Sequence, residues 1–222
     1  MNTSTLPYWL SLMVLLVASY GGLKWWQVQR VHEGGTTGGL EFTGPPLEEF
    51  ELIERSGAPF RSQGMLGKVW VTTFFFSSCP GPCERLNSSI RYLHNLEELK
   101  DVVWVSITVD PDHDTLPGLR KYADRFQADP QRWLFCRADL DYVKRVGRDF
   151  FSLPVTWQGH NEYAVVIDQA GKIRGMYDAS SLSQTEKLRL LILKCLAEDL
   201  AKSKDSSPGE PANADEQQAV VG

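Results

Sequence analysis

Cysteine and histidine are scarce in this chain of 222 residues, with four of each. Four cysteines are too few for the disulfide-dense scaffold of a small secreted domain. A four-cysteine zinc site would show two close pairs, and only one is present. Positive charge is also thin: 23 Lys and Arg against 28 Asp and Glu leave a net charge of −5, spread along the chain. No basic patch with interleaved aromatics occurs, so nucleic acid is not an expected partner. No Lys or Arg precedes Lys24, so the amino terminus lacks the charged start of a cleaved signal peptide. From Ser203 onward no core-forming pattern remains, and residues 203–222 are expected to be a disordered tail.

Apolar residues are plentiful. They make up 42% of the chain and include seven Trp and ten Phe, which is ample for a core. Residues 6–23 are uncharged and mostly apolar, with Tyr8 and Trp9 near one end and Trp25 and Trp26 beyond the other. That is about the shortest length that spans a bilayer, and the aromatics suit its interfaces. Residues 1–26 are therefore expected to anchor the chain in a membrane. Val17-Ala18-Ser19 is a weak cleavage site for the alternative, a signal peptide. Lys24 and Arg30 after the span would, by the positive-inside rule alone, hold the rest of the chain in the cytoplasm, although two charges decide little. Residues 27–46, with Gly34-Gly35 and Gly38-Gly39, read as a flexible linker. Beyond it lies one domain of roughly 155 residues, over residues 47–202.

Within it, residues 50–53 and 59–61 read as short strands, and residues 69–76 as a buried one. A helix is expected over 82–99, a strand over 102–109, a helix over 115–126 and a strand around 133–136. A helix over 140–150 precedes a hairpin of 162–167 with 172–177. A last helix is expected from Ser183, where Ser183-Gln184-Thr185-Glu186 has the form of a capping box. This order implies an α/β fold with a mixed sheet flanked by helices.

The most informative feature is Cys79-Pro80-Gly81-Pro82-Cys83, directly after the buried strand. Two cysteines where a strand enters a helix face the positive end of the helix dipole, which favours thiolates. Three intervening residues place the sulfurs about one helical turn apart, close enough for a disulfide or for one soft metal ion between them. The plainer alternative is a pair of packing cysteines, against which the prolines and glycine of a surface turn weigh. Cys136 and Cys195 lie in apolar runs and read as buried structural thiols.

The histidines offer a third donor. His32 lies in the linker. His94 is eleven residues beyond Cys83 on the expected helix, about 16 Å along its axis, too far to share a ligand. His113, in Asp110-Pro111-Asp112-His113, follows the second long strand and has two readings, a donor approaching the site or, the more common case, a loop residue facing water. His160 precedes the hairpin strand, a position compatible with a ligand.

Taken together, residues 67–83, the run Ser106-Ile107-Thr108-Val109-Asp110-Pro111-Asp112-His113-Asp114-Thr115, and His160 ahead of residues 165–171 resemble the Sco/SenC family. These are membrane-anchored, thioredoxin-fold copper proteins of cytochrome c oxidase assembly. The resemblance covers roughly residues 47–200. It implies a thioredoxin-like domain, copper bound as Cu(I) or Cu(II) by Cys79, Cys83 and His160, thiol–disulfide chemistry at Cys79 and Cys83, and Asp110 beside the site. It further implies a domain on the non-cytoplasmic side, and as partner an oxidase copper-binding subunit or another copper-trafficking protein. The chain departs from the family in carrying Glu84 where Pro is usual, a charge expected to raise the neighbouring thiol's pKa. The segment 148–159 also looks shorter. Two other functions compete: a membrane-anchored thiol–disulfide oxidoreductase with copper incidental, and, more weakly, a peroxiredoxin-like peroxidase. Neither needs a distant imidazole, so His160 discriminates.

Overall fold

The computed structural model describes residues 40–41, 45–159 and 162–205. In chain order its elements begin with strands β1 (Leu40–Glu41), β2 (Glu51–Glu54), β3 (Pro59–Arg61) and β4 (Trp70–Phe75), followed by helix α1 (Pro82–His94). Next come β5 (Val103–Thr108), α2 (Leu116–Arg125), β6 (Trp133–Arg137) and α3 (Leu140–Arg145). The hairpin β7 (Tyr163–Ile167) and β8 (Ile173–Asp178) leads into α4 (Leu182–Asp205). Among the described residues the strands form one sheet in the order β1-β8-β7-β4-β5-β6-β2-β3.

The two central strands explain the sequence that encodes them. All six residues of β4 and all six of β5 are buried, as expected of strands covered on both faces. They pair in parallel, β5 pairs in parallel with β6, and β7 joins β4 antiparallel, which makes the sheet mixed. Side chains alternate across β4. Trp70 and Phe74 meet Phe151 on one face, with ring centroids 6.2 and 5.9 Å apart. Phe75, on the other face, stacks on Tyr122 of α2 at 5.0 Å and meets Phe135 edge-on at 5.4 Å. Trp133 completes that second cluster. Its Nε1–H donates to Ser106 Oγ at 3.0 Å, and Ser106 in turn pairs with Thr73 at 3.0 Å. The polar atoms of Trp133, Ser106 and Thr73 buried with these aromatics are thus satisfied. Next to the β1 edge, Arg174 of β8 clamps α4, bonding Glu198 at 2.7 and 3.0 Å and Asp168 at 3.2 Å.

Several expected boundaries shift for local reasons. The helix after the cysteine pair ends at His94 because Leu96 turns extended, and a separate 3-10 turn covers Glu97–Leu99. The helix expected over 140–150 is α-helical only to Arg145 and continues as a π-turn, Val146–Phe150. Gly147 is what permits it. A Cβ there would lie 2.2 Å from Val155 Cγ2, so only glycine lets the chain at 153–155 press against the turn. Helix α4 begins one residue before Ser183, with the Thr185 N–H bonded to the Ser181 carbonyl, and runs to Asp205. Its last three residues enter the stretch expected as tail. Part of the expected linker is strand: Leu40 and Glu41 pair with Met176 and Gly175 at the edge of β8. A two-residue edge strand carries no pattern that a sequence could show. No helix among the described residues is long and apolar enough to cross a membrane. The expected span at 6–23, the Gly-rich tether and residues 206–222 lie outside the described residues.

Candidate metal centre

The carboxyl ends of β4 and β5 carry the candidate site. Beyond Phe75 the chain turns through Ser77–Gly81 and enters α1 at Pro82, a first-turn position where the missing N–H costs nothing. Cys83 comes next in that first turn. Its backbone N–H donates to Cys79 Sγ at 3.3 Å, which brings the two thiols to one spot on the loop. Cys79 is half-buried, whereas Cys83 is only 2% exposed.

That burial reverses one expectation. The Cys83 thiol is pushed up to about 12, first by burial, then by its hydrogen bond with Cys79, with the charges of Cys79 and Glu162 adding; a backbone hydrogen bond at Phe76 opposes them. The helix dipole is too weak to make Cys83 a thiolate against this desolvation. Glu84, the departure from the family pattern, is engaged elsewhere, at 3.1 Å from Arg125 of α2. The carboxylate acting on the buried thiol is instead Glu162.

Asp110 lies at the end of β5 and is 1% exposed. It accepts hydrogen bonds from Trp157 Nε1 at 3.2 Å, Gln158 Nε2 at 3.0 Å and His113 Nδ1 at 2.8 Å. Burial acts to raise its pKa, but the bonds from Gln158, His113 and Trp157 outweigh it and hold the carboxyl below its ordinary value. A buried carboxylate fastened in this way ties the segment before His160 to β5. Gln158 adopts a left-handed φ of 47°, and a Cβ on Gly159 would fall 2.1 Å from Thr156 Oγ1. The turn 156–159 is therefore fixed up to the residue preceding His160. His160 itself lies outside the described residues.

The remaining candidates separate from the site. His94 is buried against Trp133, with ring centroids 5.5 Å apart, at the far end of α1. His113 is 69% exposed in its side chain, and its pKa is raised by its bond to Asp110 and that carboxylate's charge. Cys136 and Cys195 are fully buried and their thiols are raised by desolvation, as structural cysteines would be. Among the described residues no three His, Cys, Asp or Glu side chains converge as a metal-ligand set, and the soft donors there are the two thiols. A sulfur pair suits a soft ion such as Cu(I) and can be completed by an imidazole.

Residues not expected from the sequence to act at the site fasten the segments on either side of it. Asp114, 1% exposed, accepts from the Ser77 N–H at 3.2 and 3.3 Å, from the Ser77 hydroxyl and from the Thr108 hydroxyl. Trp157 and Gln158 do the same on the other side, through Asp110. The run at 110–114 contains three acidic residues, and nothing in its spacing tells which are buried.

The SCO1/SenC family model matches residues 41–191. A SCO2-like protein of Rickettsia conorii is 36% identical over 155 residues, 64% of this chain and 74% of its own length. A SCO1/SenC family lipoprotein from Bacillus anthracis superposes with a TM-score of 0.63 at 27% identity, covering 72% of this chain and 98% of that one. The Arabidopsis thaliana ScoI structure with copper bound shares the fold at 20% identity, with a TM-score of 0.56 over 68% of this chain and 98% of that one. The chain belongs to the SCO1/SenC family.

Proposed function

We propose that this protein is a copper-binding assembly factor that delivers copper to the copper site of a respiratory cytochrome c oxidase, or keeps that site's thiols reduced, with Cys79, Cys83 and His160 as its ligands. The observation that carries the reading is the thiol pair, with the Cys83 N–H on Cys79 Sγ at the mouth of α1. Relatives of the same fold from Arabidopsis and Bradyrhizobium japonicum hold copper, and another, BsSco, is described as a member of the Sco family of cytochrome c oxidase assembly proteins. Copper here is cargo. Cu(I) replaces the protons of both thiols, so uptake releases protons and is blocked once the thiols are joined as a disulfide. The high pKa of Cys83 makes the metal, rather than the resting environment, the agent that ionises it. In this reading residues 6–23 anchor the chain and the domain works on the non-cytoplasmic side.

A second reading, thiol–disulfide oxidoreductase, draws support from the unequal burial of the pair. The thiolate of half-exposed Cys79 would attack a partner disulfide, releasing one partner thiolate. Buried Cys83 would then displace the second, leaving the partner reduced and Cys79–Cys83 oxidised. His160→Ala separates the two. For a copper carrier it weakens copper binding strongly, most of all for Cu(II), while the disulfide still forms. Titration of the reduced and oxidised protein with copper reads the result; wild-type Cu(II) binding by the variant would favour the reductase.

A further inference from the structure

Two segments meet at the end of β5 and are joined there by one continuous chain of hydrogen bonds. On one side Asp114 holds Ser77, two residues before Cys79, through both the Ser77 N–H and its hydroxyl. On the other side Asp110 holds Trp157 and Gln158. Thr108 links them: its hydroxyl donates to Asp114 and accepts from the Asp110 N–H at 3.0 Å. The Asp114 N–H closes the loop on the Asp110 carbonyl at 2.9 Å. Thr108, Asp110 and Asp114 are each no more than 1% exposed, so water does not substitute for a lost bond.

We propose that Asp114, acting through Ser77 and Thr108, is a positioning residue that sets the thiol-bearing turn relative to the 156–159 turn, and that copper capture depends on it while disulfide formation does not. The proposal rests on the reading of Cys79, Cys83 and His160 as copper ligands. The physical reason is the difference between what the two reactions require. A disulfide needs only two sulfurs, and both lie within one turn of the same loop and helix start. A bound metal needs its donors placed together, and residue 160 comes directly after the other segment. A carboxylate that fixes one ligand-bearing segment against another acts as outer partners of metal ligands generally do, where loss costs about tenfold or more in affinity.

The test uses the full-length reduced protein, Cu(I) buffered by a competing chelator, and equilibration with a glutathione redox buffer. Ser77→Ala and Thr108→Val each remove one hydroxyl from the chain; Thr108→Ser retains it. The expected result is Cu(I) affinity about tenfold weaker in Ser77→Ala and Thr108→Val, restored in Thr108→Ser. Their disulfide equilibrium constant should stay within about twofold of wild type. Wild-type Cu(I) affinity in both variants overturns the positioning role and leaves the ligand assignment standing. Parallel losses in copper affinity and disulfide equilibrium overturn it too, since that is general loosening of the loop. If Cu(I) affinity is unaffected by Cys79→Ser and Cys83→Ser, the ligand reading fails and this proposal falls with it.

Discussion

The middle of the sheet and its carboxyl edge are built from different materials. In the middle, Trp70, Phe74 and Phe151 pack on one face and Phe75, Phe135 and Trp133 on the other, and the hydroxyls of Thr73 and Ser106 serve only to satisfy one another and the Trp133 indole. Just beyond the ends of the same strands, Thr108, Asp110 and Asp114 are buried polar groups bonded to one another, and the two carboxylates also hold Ser77 and Trp157 of other segments. Apolar packing is non-directional and tolerates small shifts, whereas a buried carboxylate enforces a geometry. The middle accordingly supplies stability and the edge supplies placement, and substitutions in the two regions should fail in different ways.

The largest effect is expected in the middle. Trp133 is fully buried, packs on Phe135 at 5.4 Å and on Phe126 at 6.1 Å, and its indole N–H is bonded. Trp133→Ala should cost about 3–5 kcal/mol of stability, measured by denaturant unfolding. Below the unfolding transition the thiol pair should behave as in wild type. A loss under about 1 kcal/mol would mean that the aromatic middle is not what holds the sheet together.

The same contrast explains what a reader of the sequence could see. The middle was legible because burial on both faces leaves an unbroken apolar run, as at residues 69–76, and the cysteine pair was legible because it comes directly after such a run. The edge was not. Asp110, Asp112 and Asp114 alternate in one short loop, yet the first and third are buried while Asp112 is exposed, a distinction made by strands and turns distant in sequence. The depth of Cys83 was missed for the same reason. A helix start implies an exposed thiol, but here the first turn of α1 packs its cysteine into the core.

That depth should appear in reactivity. In the reduced, folded protein a thiol reagent at neutral pH should modify Cys79 at least about tenfold faster than Cys83, because the thiolate is the reacting form and the Cys83 thiol is pushed up to about 12. Cys136 and Cys195 should not react until the protein unfolds. Mass spectrometry of peptides after timed labelling would resolve all four positions. Equal rates at Cys79 and Cys83 would remove the division of roles within the pair, and rapid labelling of Cys136 would contradict the packing of the middle.

The smallest effect concerns His94, an ionisable ring packed among the aromatics of the middle. It is 4% exposed, its Nδ1 pairs with Asn95 at 3.1 Å, and its Nε2 has no hydrogen-bond partner among the described residues. Burial lowers its pKa and the nearby Arg132 charge lowers it further, while the Asn95 bond and Asp129 only partly compensate. The unfolded chain therefore binds this proton more readily than the folded one. Above the ordinary histidine value of about 6.5 the ring is neutral in both states and contributes no pH dependence. As pH falls below that value the unfolded state gains a proton that the folded state resists, so stability declines until the depressed folded pKa is passed. Unfolding free energies measured between neutral pH and mild acid should show this decline in wild type and a flatter slope in His94→Phe, which keeps a ring against Trp133 without a titrating group. An unchanged slope would show that the imidazole takes up its proton inside the fold, and that the middle of the sheet is more accommodating of charge than its packing implies.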